Sequence, residues 1–302
     1  MPPAGLVLPE SLEEIASMEF VYSTRNPDIP TAYSRLVAMH TECELLLPRM
    51  EEEKARDLAG RVWKLVQEAD ARYNRFLPDS PLSALNRRAA GEATEVDGEM
   101  FLILELCDTF RKATRGYFDI SANPQSRSGD RNWILDPAAH TVRFSREGMR
   151  LDLGGFVKGF VLEKAVREVS AATSCAILSF GGSSTAAIGK HPLDAPWPVA
   201  VGHTYYSGRV ARTFHLQDAS LSVSGKDPRG RGHIIDPKTG NTVEKDGLVA
   251  VTGPSAMVTE VLSTALWIAP ETERQEILST FEGYSAWEIR CLADGKTRTL
   301  KI

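Results

Sequence analysis

No stretch of this 302-residue chain approaches the roughly 20 consecutive apolar residues that a bilayer-crossing helix requires. The longest apolar runs, such as VLSTALWIA at 261–269, fall far short, so no membrane span is expected. Cysteine is scarce. Cys43, Cys107, Cys175 and Cys291 lie far apart without a C-x-x-C pair, which removes the spacing of a metal knuckle or a redox dithiol and suits a reducing compartment. Positive charge is not in excess either: 35 Lys and Arg stand against 40 Asp and Glu, a formal net charge of −5. No global positive field would therefore gather nucleic acid or an anionic membrane, and no nucleic-acid partner is expected. The opening stretch MPPAGLVLPESLEEIASMEF has neither a basic n-region nor an apolar h-region and is interrupted by Glu10, Glu13 and Glu14, so a secretory leader is not expected and a cytoplasmic location is. Repeats and low-complexity tracts are lacking as well.

What remains is an ordinary globular composition, with 42% hydrophobic, 25% charged and 8% aromatic residues. The length is about twice the roughly 150 residues of a typical domain, enough for a large core. Residues 1–30 contain prolines and little pattern and read as an N-terminal lead-in or an edge segment. From there, 31–302 is long enough for one large domain or two fused ones.

Within 50–73, Ala55, Leu58, Val62, Leu65, Val66 and Ala69 recur at helical spacing between charges and predict an amphipathic helix. The segment NRFLPDSPLSALN at 74–86 breaks it with two prolines. A second helix fits 98–115, where Phe101, Leu104, Cys107 and Phe110 recur and Gly116 offers a stop. TVRFS and MRLDL alternate like strands, and Gly154-Gly155 then opens a helical stretch, FVKGFVLEKAVREVS. CAILSFGGSSTAAIG at 175–189 reads as two strands around a Gly-Gly turn. WPVAVG, RTFHL, SLSVSG and GLVAVTG read as further strands, and HIIDPKTG at 233–240 as a strand entering a turn. Helices at 255–268 and 271–282 follow, the latter started by Pro270. Strands and helices mix without strict alternation, which favours an α+β fold over a doubly wound sheet.

Three constellations could carry chemistry. In LDLGGFVKG at 151–159, a strand ends at Asp152, two glycines let backbone approach a ligand, and Lys158 sits in the first turn of the next helix. The spacing alone suits either an anion site or a plain strand-to-helix turn with a solvated lysine. In HIIDPKTG, His233 could act as a general base, since an imidazole is largely neutral near neutral pH, or could be merely structural. In TEVLSTALWI at 259–268, Glu260 and Thr264 are at i and i+4 and share a helix face. A carboxylate and a hydroxyl on adjacent turns are half an oxygen shell for a hard cation, and the apolar neighbours make this a largely buried helix, in which a carboxylate wants a partner or a metal.

Taken in order, NRFLPDSPLSALN, GYFDI at 116–120, LDLGGFVKG, LSFGGSS at 178–184, SVSG at 222–225, HIIDPKTG and EVLSTALWI resemble the ApbE family of FAD:protein FMN transferases over about residues 36–282. The resemblance implies an ApbE-like, T-fold-like α+β fold of mixed sheets with packed helices, as a single domain over 31–302. It implies Mg²⁺-dependent transfer of FMN from FAD to a Thr or Ser hydroxyl of a partner flavoprotein, with release of AMP. FAD would be the substrate and the flavoprotein the acceptor. FAD pyrophosphatase activity giving FMN and AMP, or FAD binding without turnover, are the alternatives. By resemblance the metal ligands would be Gly155, Glu260 and Thr264, and the FAD contacts Met39, Phe76, Tyr117, Phe118, Asp119, Asp152, Lys158 and Ile235. His233 would stand beside the reacting phosphate. Where the family often reads M-G-T, the chain has Met39-His40-Thr41. Glu260 stands for the usual Asp, and Ser183 ends a segment often written N-x-G-G-D.

Overall fold

The computed structural model describes residues 18–89, 91–121, 133–225 and 234–302. In chain order the elements are β1 (Glu19–Ser23), β2 (Thr31–Ala38), β3 (Thr41–Pro48), α1 (Glu52–Tyr73), α2 (Pro81–Arg88), β4 (Thr94–Glu95), α3 (Gly98–Ala113), β5 (Trp133–Asp136), β6 (Thr141–Phe144), α4 (Val157–Ser170), β7 (Ala176–Phe180), β8 (Ser184–Ile188), β9 (Trp197–Gly202), β10 (Val210–Leu216), β11 (Ala219–Gly225), β12 (Leu248–Gly253), α5 (Ala256–Ile268), α6 (Glu271–Ser279), β13 (Ser285–Cys291) and β14 (Thr297–Lys301). Nine strands form one antiparallel sheet in the order β1-β2-β3-β7-β8-β11-β12-β13-β14. The fold is α+β.

The sheet has two working faces because its strands alternate with period two. On β12, Val249 and Val251 point into the larger core with α1, α4 and α5, whereas Leu248 and Ala250 point into a second core beneath the β9–β10 ribbon. Trp197, Val201, Phe214 and Leu216 of that ribbon seal the second core. α1 buries Ala55, Leu58, Val62, Val66 and Ala69 of the stripe its sequence periodicity announces, together with Ala59, while Leu65 is half-buried. α5 lies between α4 and the sheet and is buried on nearly every side, which is why most of its residues are apolar. α4 and α5 approach closely at Gly159, where a Cβ would fall 2.6 Å from the Ala256 carbonyl oxygen and 2.7 Å from Glu260 Cβ.

Several expectations are revised. MRLDL pairs with no strand among the described residues: Leu151 is held instead by the Asn86 side chain, which donates to its carbonyl (2.9 Å) and accepts from its amide (2.8 Å), while the Asp152 amide donates to the Ile120 carbonyl (2.7 Å). Those side-chain and loop contacts satisfy the backbone that alternation alone assigned to a ladder. The described part of HIIDPKTG, IIDPKTG at 234–240, forms a tight turn with a single bridge, Ile235 to Thr242, rather than a strand. Before residue 31, β1 is an edge strand paired to β2, the second of the two readings of that stretch. Strands β2, β3, β13 and β14 carry no motif and become legible only through their pairing.

Candidate functional site

A cavity of about 700 Å³ opens where α4, α5, the 116–120 segment, the β7–β8 turn, the end of β9 and the 234–237 turn converge. Each wall has a local cause. At the end of α3, Gly116 takes φ +79° and its amide donates back to the Arg111 carbonyl (2.7 Å), a left-handed stop that turns the chain so that Tyr117, Phe118 and Asp119 face the cavity region. Asp119 accepts from the Ser121 amide (2.8 Å) and hydroxyl (2.7 Å). The β7–β8 connection needs positive φ at both Gly181 (+67°) and Gly182 (+64°), and a Cβ at Gly181 would lie 2.4 Å from Thr41 Oγ1.

The polar floor is built around Glu260, which is 4% exposed. One carboxylate oxygen pairs with the Lys158 ammonium, and the other accepts from the Ser184 and Ser222 hydroxyls. Ser222, Ser263, Ser224 and Thr264 continue as a chain of hydroxyl contacts of 3.0, 2.8 and 3.3 Å. Strand alternation places Ser222 and Ser224 on the α5 side of β11, and the helical period places Glu260, Ser263 and Thr264 opposite them. Gly155 stands close to Thr264: a Cβ on Gly155 would be 3.8 Å from Thr264 Oγ1. Asp152 accepts from the Gly154 amide (2.9 Å) and pairs with Arg75 (3.0 Å). α4 starts at Phe156 without a capping side chain, leaving its first turn suited to an anion.

At one edge of the cavity Tyr117 donates to Glu273 (2.8 Å), and the Lys238 ammonium sits 3.5 Å from its ring centroid. Burial first, then the hydrogen bond and charge of Glu273, push the Tyr117 phenol up to about 12, so it stays a neutral donor.

Of the residues singled out from sequence, Tyr117, Phe118, Asp119, Asp152, Gly155, Lys158, Ile235, Glu260 and Thr264 line this one cavity. Met39 and Phe76 do not. Met39 is packed against the main core in the two-residue β2–β3 turn, and Phe76 is 62% exposed, its ring edge-on to His40 at 5.2 Å. Arg75 connects Phe76 to the site, since it lines the cavity, pairs with Asp152 and lies 4.3 Å from the Phe76 ring centroid. His40 has φ +58°, a left-handed conformation that glycine takes without penalty. His233 lies outside the described residues.

Sequence reasoning missed Arg75, Ser184, Ser222, Ser224, Ser263, His203 and Thr204. The serines stood inside quoted motifs, and period-two spacing on SVSG was the available signal. His203 and Thr204 carry no motif at all.

The architecture is thus an α+β sheet protein whose cavity presents a lysine, a Gly-Gly turn and a carboxylate–hydroxyl helix face, a set suited to a polyphosphate ligand. A model of the ApbE family matches residues 39–287, and the chain belongs to that family. It is 26% identical over 271 residues to the FAD:protein FMN transferase of Treponema pallidum (strain Nichols), covering 74% of this chain and 75% of that protein. It is 32% identical over 302 residues to the FAD:protein FMN transferase of Rhodobacter capsulatus, covering 89% of this chain and 55% of that one. Among solved structures, the flavin transferase ApbE of Vibrio cholerae superposes with a TM-score of 0.76 at 18% identity, over 90% of this chain and 97% of that one. The ApbE protein of Thermotoga maritima gives the same TM-score and identity over 93% and 96%. These likenesses establish the fold.

Proposed function

We propose that this protein transfers FMN from FAD to a threonine or serine hydroxyl of a partner flavoprotein and releases AMP. The observation that carries the reading is the convergence of Lys158, the Gly154-Gly155 turn, Glu260 and Thr264 on one cavity in a chain of this family. The names of the Treponema and Rhodobacter relatives support it.

In this reading Lys158 and the first turn of α4 bind the pyrophosphate, because an ammonium and the positive end of a helix dipole both favour anionic oxygen. Asp152 holds Arg75 at the cavity wall, and Asp119, fixed by Ser121, offers an acceptor to ligand hydroxyls. The acceptor hydroxyl attacks the flavin-side phosphorus, the bond from that phosphorus to the bridging oxygen breaks, and AMP leaves with the bridging oxygen. His233, adjacent in sequence to cavity-lining Ile234, takes the hydroxyl proton in this scheme, and transfer by His233→Ala should fall at least 100-fold.

Mg²⁺ fits the donors in kind, since Glu260 and Thr264 are hard oxygens on one helix face. Among the described residues no group of three His, Cys, Asp or Glu side chains is placed to hold a metal. Glu260, Thr264 and the Gly155 carbonyl would therefore share the ion with ligand phosphate oxygens, as Mg²⁺ commonly is shared. When bound it would neutralise pyrophosphate charge. No helix among the described residues is long and apolar enough to cross a membrane, and action in the cytoplasm completes the proposal.

The test is incubation of the purified protein with FAD and Mg²⁺, with and without a threonine-containing acceptor domain, following AMP and the mass of the acceptor. Acceptor-dependent AMP with an FMN adduct is expected. AMP without adduct would instead assign FAD hydrolysis.

A further inference from the structure

The turn between β9 and β10 leaves two buried polar atoms, in consecutive residues, without partners among the described residues. His203 is 5% exposed, and its backbone amide donates to the Arg209 carbonyl (2.8 Å), fixing the residue at the base of the turn. The Tyr205 amide, which can only donate, donates to His203 Nδ1 (3.2 Å), so the proton of the neutral ring resides on Nε2. That Nε2–H is buried and has no hydrogen-bond partner among the described residues, and neither has Thr204 Oγ1. Buried polar groups in folded proteins are nearly always paired, so two unmet ones in adjacent residues point to a partner from outside the chain.

Both residues line the cavity, and they do so on a wall different in character from the one that holds Lys158 and Glu260. Their neighbours in that wall, Val201 and Leu248, belong to the apolar core beneath the β9–β10 ribbon. The wall thus combines aliphatic surface with one neutral N–H donor and one hydroxyl that both donates and accepts. Phosphate is better served by the ammonium across the cavity. A flat heteroaromatic ring, apolar on its faces and polar along its edge, matches this wall.

We propose that His203 and Thr204 form a subsite for the edge of one heteroaromatic ring of the dinucleotide, the His203 Nε2–H donating to a ring acceptor and the Thr204 hydroxyl pairing with the neighbouring edge atom. The inference rests on the flavin-dinucleotide reading of the cavity. It assigns these two residues to ligand selection rather than to the transfer step.

The test is calorimetric binding of FAD, AMP and FMN to the wild type, His203→Phe and Thr204→Val, together with the melting temperature of each ligand-free protein. FAD binding should weaken about tenfold in His203→Phe and severalfold in Thr204→Val. The loss should reappear with AMP alone if the ring is adenine, or with FMN alone if it is the flavin. Of the ligand-free melting temperatures, that of Thr204→Val should be unchanged or raised, because it replaces an unpaired hydroxyl by a methyl of similar shape, whereas His203→Phe also removes the acceptor of the Tyr205 amide and is read by its ligand affinity. A purely structural role would lower those temperatures and leave affinity intact, and that result, or wild-type FAD affinity in both variants, overturns the subsite while the flavin reading stands. Thr204→Val carries the test by itself if His203→Phe does not fold. A wild-type protein that binds none of the three ligands overturns both readings.

Discussion

Glu260 and Lys158 face each other across the α4–α5 contact with unequal access to water. The glutamate side chain is 5% exposed and the lysine 23%. That inequality sets what each loses when its partner is removed. In Glu260→Gln the amide keeps hydrogen bonds with Ser184 and Ser222, and the lysine can extend its ammonium toward solvent, so the stability cost should be about 1 kcal/mol. In Lys158→Met a buried carboxylate keeps only two hydroxyls against its charge, and the cost should reach about 3 kcal/mol. The double variant should be more stable than Lys158→Met alone, since it removes the uncompensated charge. Urea unfolding of the three proteins checks this order, and equal losses in the two single variants would contradict it. Both residues were legible in the sequence through their motifs. The serines that complete the network were visible as letters, but their role required β11 to lie against α5.

At the scale of elements, the same residue type has opposite consequences on two helices. Gly60 lies on the exposed side of α1 with nothing within 4 Å of where a Cβ would stand, whereas a Cβ at Gly159 would collide with α5 backbone. Gly60→Ala should therefore stabilise by about 0.5–1 kcal/mol through helix propensity. Gly159→Ala should destabilise by about 1–3 kcal/mol and weaken FAD binding, because the helix carrying Glu260 must move. Thermal melts and FAD titration read both effects, and a stabilised Gly159→Ala would refute the packing argument. The sequence offered a glycine in each helix and no means of telling them apart.

The junction of α6 with β13 has its own signature. Arg274, 4% exposed, donates to the Ala269 carbonyl (3.1 Å) and pairs with Glu288 (2.7 Å). Burial pushes the Glu288 carboxyl up, but the hydrogen bonds and charges of Arg290 and Arg274 outweigh it and hold the carboxyl below its ordinary value. A carboxyl depressed in the folded state contributes stability above its unfolded value, near 4.3, and loses it as pH falls through the folded value. Asp97, which caps α3, and Glu99 and Asp108 within it are depressed likewise, each against a burial effect of opposite sign. Stability should be level between about pH 7 and 5 and fall below about pH 4.3. Glu288→Gln, less stable at pH 7, should lose less over that acid range, as chemical denaturation at several pH values would reveal.

At the scale of the whole molecule, the nine-stranded sheet is shared by both cores, so neither can dissolve without exposing the other's strands. Residues 31–302 should consequently unfold as a single unit. Far-ultraviolet circular dichroism and the fluorescence of Trp63, Trp133, Trp197, Trp267 and Trp287, which sample both sides of the sheet, should give coincident transitions. Two separated midpoints would divide the chain into independent parts.

The sequence by itself determined the helices α1, α3, α4 and α5, whose apolar periodicity and stops are local properties, and the ordered motifs that mark the ApbE family. It also determined which strands alternate. Only the tertiary structure decided that β3 lies beside β7 and β8 beside β11, that MRLDL is held by Asn86 rather than by a strand, and that Met39 and Phe76 stand outside the cavity wall. It alone brought His203 and Thr204 to the same cavity as Lys158 and Glu260. The physical reason is range: helix and turn preferences act over a few residues, whereas strand order and cavity walls arise from contacts between segments tens of residues apart, whose partners no local pattern encodes.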